Sequence, residues 1–349
     1  MEFLGRECTL EPFLPEAQGA GEVAPGALSQ AATWLAARIR PLAELHSPWT
    51  AQRVCVLCRG ESRIFAKVRP DPPLELVAEG AAHMEEFDPE VLIALGGGSA
   101  IDCAKGMLSI ARSRPFFVAI PTTSGTGSEV TSFAVLTHQG VKLPLIDPDL
   151  RPNLAILDDS LLQKLPKQLI ADAGMDVIAH CVEALVAKNL SLFTQGLAVK
   201  AYHTVMELLP RSYEGDSSVR GQIHCAATIA GIAFDQAGLG ACHALSHAIG
   251  GKFHLAHGKL NAVLLPHVIQ LNSSCCSYSP LGNNPVFAVT RLRRRVQLPD
   301  SLTAAGLNRG ELLSSADELC SAALADPCNE GNPYPMTKDA YHRLLNACL

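Results

Sequence analysis

The sequence predicts two architectures joined in one chain: an α/β domain over residues 1–158 and an all-helical domain over 159–349. Three observations carry that expectation. A chain of 349 residues suits two domains, at roughly 100–200 residues each. Its first half sets short, continuously apolar runs between glycine and proline punctuation, the pattern of strands covered on both faces and hence of parallel pairing. Its second half loses the glycine turns and takes up helical periodicity, with the seam over 152–165.

In chain order, 19–26 is a small-residue loop containing Pro25, and 27–40 reads as an amphipathic helix ended by Pro41. The runs 53–58, 91–95 and 116–120 read as buried strands, each followed by a turn or a glycine-rich segment. Few residues lie between Cys58 and Pro70, too few for a full strand–helix–strand unit. Beyond the seam, 169–188, 197–209, 219–234 and 243–250 carry helical periodicity. There is no internal repeat and no low-complexity tail.

Composition narrows the function classes. Apolar residues make up 48%, enough for a large core. Charged residues are only 18%, against a usual figure of about 25%, so polar surface is scarce and a homo-oligomer is expected. Net charge is −6 and the longest basic run is Arg293-Arg294-Arg295, with Arg291 close by. That excludes a broad phosphate-binding surface, and no nucleic-acid partner is expected. The twelve cysteines do not form a disulfide framework in a chain this long, and Met1 to Glu7 carries acids where a signal peptide needs bases. Cys103, Cys181, Cys225 and Cys242 sit in apolar stretches like small core hydrophobes, and Cys55-x-x-Cys58 lacks a second pair for zinc. No apolar run reaches the 18 or so residues of a membrane span. A reduced, soluble, cytoplasmic protein is expected.

Chemistry concentrates in four segments. Gly96-Gly97-Gly98-Ser99 joins an apolar strand to a helix, where glycines let a diphosphate approach free N–H groups at the helix start. The bland alternative is a tight turn with Ser99 as helix cap; the pattern is not the GxGxxG of a standard dinucleotide fold. An unbroken hydroxyl and glycine run, Thr122 to Ser128, follows the next strand and suits a polar ligand, or else a plain flexible loop. Asp176 and His180, four apart, share a helix face, and His243 and His247 repeat the spacing. His254 and His257 follow. Imidazoles and a carboxylate on apolar helices are costly to bury without a partner, and together they suit iron(II), zinc or manganese; spacing does not choose among these.

These residues resemble the iron-containing (group III) alcohol dehydrogenases, and among them the propanol and ethanolamine-utilisation type associated with bacterial microcompartments. The resemblance is strong over 70–270 and weaker over 318–333 (Leu319, 322–326 and Asn332-Pro333). It rests on Gly96-Gly-Gly-Ser99-x-x-Asp102-x-x-Lys105, on Pro121-Thr-Thr-Ser-Gly-Thr-Gly-Ser-Glu129, on Gly174-Met-Asp176-x-x-x-His180, and on Gly238-Leu-Gly-x-x-His243-x-x-x-His247.

The resemblance implies a metal, Fe(2+) or else Zn(2+), held by Asp176, His180, His243 and His257. It implies a further active-site histidine, His247, beside nicotinamide and substrate, and no assigned role for His254. It implies an NAD site in which Gly97, Gly98 and Ser99 meet the diphosphate, Asp102 the nicotinamide side, and Thr122 and Thr123 the adenosine side. Lys142 matches a family lysine close to the cofactor. The implied reaction is reversible reduction of a short aldehyde to its primary alcohol, with the metal as Lewis acid, the nicotinamide as hydride carrier and His247 as proton relay. A microcompartment setting with other enzymes as partners is implied on the same ground.

Departures from the family pattern bear on the cofactor. Arg59 stands where an aspartate usually meets the adenosine ribose, which suits the 2′-phosphate of NADP. The following segment is short. Ala256 replaces a proline, Lys259-Leu260 replace smaller residues, and 273–295 is short and irregular for the family's helical domain. Two other readings are a zinc glycerol dehydrogenase or dehydroquinate-synthase-like sister, and a catalytically weak metal-binding or scaffolding paralogue.

Overall fold

The computed structural model describes residues 53–58 and 61–349, with side chains from Ser62 onward. The expected helix at 27–40, Arg59, and the side chains of Cys55 and Cys58 lie outside the described residues. Five strands form one sheet in the order β2-β1-β3-β4-β7: β1 (Arg53–Cys58), β2 (Glu61–Phe65), β3 (Val91–Gly96), β4 (Phe116–Pro121) and β7 (Leu154–Ala155). The three expected strands are present. β3, β4 and β7 run parallel, as the apolar runs predict.

β1 departs from that expectation, pairing antiparallel with both β2 and β3. The reason lies in connection length. Only Arg59 and Gly60 separate β1 from β2, and a parallel partner needs a crossover of about a dozen residues. The crossover instead follows β2, through helix α1 (Leu74–Phe87), and delivers β3 to the far side of β1.

The strand period sorts the sheet's two faces. Leu92 and Ala94 of β3 and Phe117 and Ala119 of β4 pack with Val77 and Met84 of α1 and with Ile101 and Met107 of α2 (Gly98–Ile110). Val91, Ile93, Leu95, Val118 and Ile120 face the other way, onto Leu161. A hairpin that the sequence reading did not foresee, β5 (Phe133–His138) and β6 (Val141–Ile146), turns at Gln139 and Gly140, both at positive φ.

From Lys167 the chain is helical. Helix α3 (Lys167–Val186) is buried almost continuously from Gly174 to Val186, packed among α4 (Leu192–Glu214), α5 (Arg220–Ala237) and α7 (His257–Asn272). Its burial all round explains why 169–188 reads apolar with the acid and imidazole as exceptions. Helix α6 (Ala241–Phe253) extends the expected 243–250 by a few residues at each end. The irregular region supplies α8 (Pro285–Arg295), followed by α9 (Arg309–Ser314), α10 (Ala316–Ala325) and α11 (Lys338–Ala347). Among the described residues no single helix is long and apolar enough to cross a membrane. Cys103, Cys181 and Cys242 are buried and free, but Cys225 is exposed on α5, contrary to the core role expected of it.

Loop 122–132 is fastened along one face of α5. Ser124 Oγ lies 2.9 Å from His224 Nδ1, Thr228 Oγ1 donates to Glu129 Oε1 at 2.6 Å, and Ser132 N donates to Asp235 Oδ1 at 2.7 Å. Residues 224, 228, 231 and 235 recur at helical spacing, and at Gly231 the backbone of Gly127 comes within Cβ contact. Beneath the loop, the fully buried Lys105 donates its Nζ to the carbonyls of Thr131 and Phe133, each at 2.7 Å. Burial pushes this amine down to about 8. The loop is thereby fixed to both halves.

Candidate active site

A cleft of about 520 Å³ runs between the sheet's carboxyl edge and α3, α6 and α7. Its lining includes Gly97, Gly98, Ser99, Asp102, Thr122, Thr123 and Lys142 from the α/β half, and Asp176, His180, His243, His247 and His257 from the helical half. Every site residue expected from the sequence, Arg59 aside, therefore lies on one cavity.

At its helical end three donors converge, Asp176, His243 and His257, with His180 beside Asp176. Asp176 Oδ1 lies 3.9 Å from His180 Nε2, 3.6 Å from His243 Nε2 and 3.5 Å from His257 Nε2. Donors bound at about 2.1 Å around a tetrahedral ion stand about 3.4 Å apart, so Asp176, His243 and His257, whose donor atoms all lie within 4.8 Å of one another, suit one divalent cation. The elements explain the convergence. Four-residue spacing aligns Asp176 and His180 on α3, α6 brings His243, and His257 opens α7.

Charge points the same way. Burial pushes the Asp176 carboxyl up, but the facing imidazoles of His180 and His257 outweigh it and hold the group well below the usual carboxylate range. Burial pushes His180 down to about 3 and His257 well below its ordinary value. Burial would lower His243 too, yet bonds to Asp176 and Glu183 raise it to about 9. Two buried carboxylates thus call for a positive charge among these rings, which a proton or a metal ion satisfies.

Three partners of the site residues escaped the sequence reading. Glu183, one turn past His180 on α3, accepts from His243 Nδ1 at 2.6 Å and from Cys242 N at 2.7 Å. Asn261, one turn past His257, places Nδ2 2.7 Å from Asp176 Oδ1 and 3.1 Å from His257 Nε2. Asp326, far along the chain, sits 2.9 Å from His247 Nδ1. For Glu183 and Asn261 the i+3 and i+4 spacing to a candidate donor was the available signal. For Asp326 only the matched segment 318–333 offered one.

At the sheet end, Gly97 caps α2 without any side-chain bond, so Ser99 is not the helix cap and the first N–H groups face the cleft. A Cβ on Gly98 would stand 2.7 Å from Thr126 Cγ2, so only glycine lets the two loops meet there. Bare N–H groups at a glycine-built helix start suit a diphosphate. Asp102 lines the cleft, although Ser128 Oγ and Val135 N both donate to its carboxylate, at 2.5 and 3.1 Å. Lys142 pairs with Asp71 at 2.9 Å, tying the hairpin to the segment before α1. His254 lines the cleft as the left-handed C-cap of α6.

Residues 47–159 match the iron-containing alcohol dehydrogenase family, and residues 170–349 match the Fe-containing alcohol dehydrogenase family, C-terminal. The 1-propanol dehydrogenase PduQ of Salmonella typhimurium is 39% identical over 314 residues, covering 82% of this chain and 85% of that protein. The NADPH-dependent butanol dehydrogenase of Clostridium saccharobutylicum is 36% identical over 322 residues, covering 82% and 83%. An iron-containing alcohol dehydrogenase from Thermococcus thioreducens superposes with a TM-score of 0.74 at 32% identity, covering 81% of this chain and 84% of that one. The matches run along most of the sequence, and the chain belongs to the iron-containing alcohol dehydrogenases, a family of oxidoreductases.

Proposed function

We propose that this enzyme interconverts a short, uncharged aldehyde and its primary alcohol, using NAD or NADP, at the cleft described above. The observation that carries this reading is the convergence of Asp176, His243 and His257, with His180 3.9 Å from Asp176, in the same cleft as the start of α2. An iron(II) or zinc ion held by these four would supply Lewis-acid polarisation of the carbonyl, and the nicotinamide would supply the hydride.

The chain's own residues do the remaining work. The N–H groups opening α2 and the hydroxyls of Thr122 and Thr123 bind and orient the dinucleotide. Phe234, stacked on His180 at 4.4 Å, and Leu239 and Leu255 on the same cleft present an apolar wall that excludes water and favours a small alkyl group. His247 lines the cleft with Nδ1 engaged by Asp326, which leaves Nε2 to exchange the alcohol's proton. NADP use is supported by Arg59 in the sequence and by the butanol dehydrogenase relative that is named for NADPH. Self-association is supported by the low charge content and by exposed Leu192 and Phe193 at the start of α4. The microcompartment setting rests on sequence resemblance.

The test is direct. The protein is loaded anaerobically with iron(II) or zinc, and NADH and NADPH oxidation are followed with propanal. Turnover with at least one cofactor is expected. No turnover with either would sink the reading, and turnover confined to glycerol oxidation would favour the zinc glycerol dehydrogenase alternative.

A further inference from the structure

The segment from Asp326 to Asn332 lies about 80 residues beyond α6 in sequence, yet it grips that helix at two places. Asn332 Oδ1 accepts from Ala241 N at 3.2 Å, at the start of α6, and exchanges amide bonds with Asn272 at the end of α7, at 2.9 and 3.0 Å. Six residues further along α6, Asp326 Oδ2 meets His247 Nδ1 at 2.9 Å. The other carboxylate oxygen, Oδ1, accepts from Cys328 N at 2.8 Å and caps the 3₁₀ turn Pro327–Gly331. Asp326 is therefore held at both oxygens, with its side chain 7% exposed.

The chemistry of this contact fixes a proton. Burial pushes the Asp326 carboxyl up, but the bonds from His247 and Cys328 outweigh it, so the group is an ionised acceptor. Nδ1 must then be the donor. The ring is further braced by His257, stacked at 5.1 Å and 17°. A free imidazole divides itself between two tautomers and rotates about χ2. Here the bond to Asp326 and the stacked ring oppose both freedoms, and a neutral ring carries its lone pair on Nε2.

We infer that Asp326 is a positioning residue: it locks His247 as the Nδ1–H tautomer with Nε2 turned to the substrate. This rests on the proposed role of His247 in proton exchange. In alcohol oxidation the hydroxyl proton goes to Nε2 and the hydride to the oxidised nicotinamide; aldehyde reduction returns both.

The substitution D326N isolates the device. Asparagine keeps the cap, because its amide oxygen can still accept from Cys328 N. Its NH2 group then faces His247 Nδ1 and forces that nitrogen to accept, which moves the ring proton to Nε2. Two readouts are required. Long-range 1H–15N spectra of histidine-labelled protein, assigned with H247Q, should show His247 as Nδ1–H in the parent chain and as Nε2–H in D326N. With propanal, kcat should fall about 10–100-fold, part of the roughly 10²–10⁴-fold that a positioned acid–base group contributes, while KM for propanal and bound metal stay within about threefold. D326A is the second variant and should show a similar fall with both tautomers present. An Nε2–H ring in the parent chain, or kcat within twofold of the parent in both variants, would overturn the inference. If the parent enzyme turns over no aldehyde, the functional reading fails, and the spectra still decide whether Asp326 sets the tautomer.

Discussion

Replacing Glu183 by glutamine should weaken metal binding without unfolding the protein. Glu183 is 2% exposed, and three donors converge on its two oxygens: Cys242 N at 2.7 Å, His243 Nδ1 at 2.6 Å and His243 N at 3.4 Å. Glutamine fits the same space but offers one oxygen. Cys242 N–H cannot change its role, so the amide oxygen stays with it and the NH2 group turns to His243 Nδ1. His243 can then remain neutral only by carrying its proton on Nε2, the nitrogen 3.6 Å from Asp176 Oδ1. That nitrogen is the one a metal ion needs free. Losing an outer carboxylate of this kind costs about 10–100-fold in metal affinity, or roughly 1.4–2.7 kcal/mol at 1.36 kcal/mol per tenfold. The assay is an anaerobic competition of iron(II) or zinc against a chromophoric chelator, run on parent and E183Q, with urea unfolding of the metal-free proteins alongside. A dissociation constant within threefold of the parent, in a protein that unfolds at the same urea concentration, would refute the reasoning.

Two further expectations concern the seam between loop 122–132 and α5. A Cβ on Gly231 would stand 3.0 Å from both Gly127 Cα and Val130 Cγ2, so G231A should destabilise by about 1–3 kcal/mol in urea unfolding. The exposed Gly196 within α4 has open space around it, and G196A should stabilise by about 0.5–1 kcal/mol; the same sign for both would contradict the packing. His224 carries a pH dependence. Burial pushes it down to about 4, so between about pH 4 and the ordinary histidine range the unfolded chain binds more protons than the folded one. Its contribution is present above that range and lost as pH falls through it, by up to about 3 kcal/mol. The stability difference between parent and H224Q should shrink by that order from pH 7 to pH 4, and a flat difference would remove the claim.

The parts legible in the sequence are those where local pattern and tertiary role coincide. The runs at 91–95 and 116–120 are strands because burial on both faces demands continuous apolar residues, and the glycines after 95 mark where a helix starts at the cleft. Asp176, His180, His243 and His257 stood out because polar groups on apolar helices invite an explanation. β1 was misjudged because an apolar run fixes burial and not strand direction; direction came from the two-residue connection to β2. Helix α7 was missed because its apolar content runs nearly all round, with Pro266 inside it. Asp326 was legible only as part of the matched segment 318–333, and its role was not. Its meaning arises only when a turn near the carboxyl end folds back on α6, and no spacing rule spans that distance.

Helix α6 shows one device used for two ends. It carries His243 and His247 one turn apart, and each ring gives its Nδ1 to a buried carboxylate from another part of the chain: Glu183 of α3 for the first, Asp326 of the distant turn for the second. In both cases the carboxylate settles which nitrogen is free, and the helix settles where that nitrogen points. His243 turns Nε2 to Asp176 and the other donors, so its carboxylate bears on metal retention. His247 lines the open cleft with Nδ1 taken by Asp326, so on the inference above its carboxylate bears on turnover. The consequence is separability: E183Q should lose metal before it loses the intrinsic rate of whatever enzyme remains loaded, and D326N should keep its metal and lose rate. If both substitutions moved metal content and kcat by the same factor, the two imidazoles would be one coupled unit, and assigning them separate tasks would be wrong.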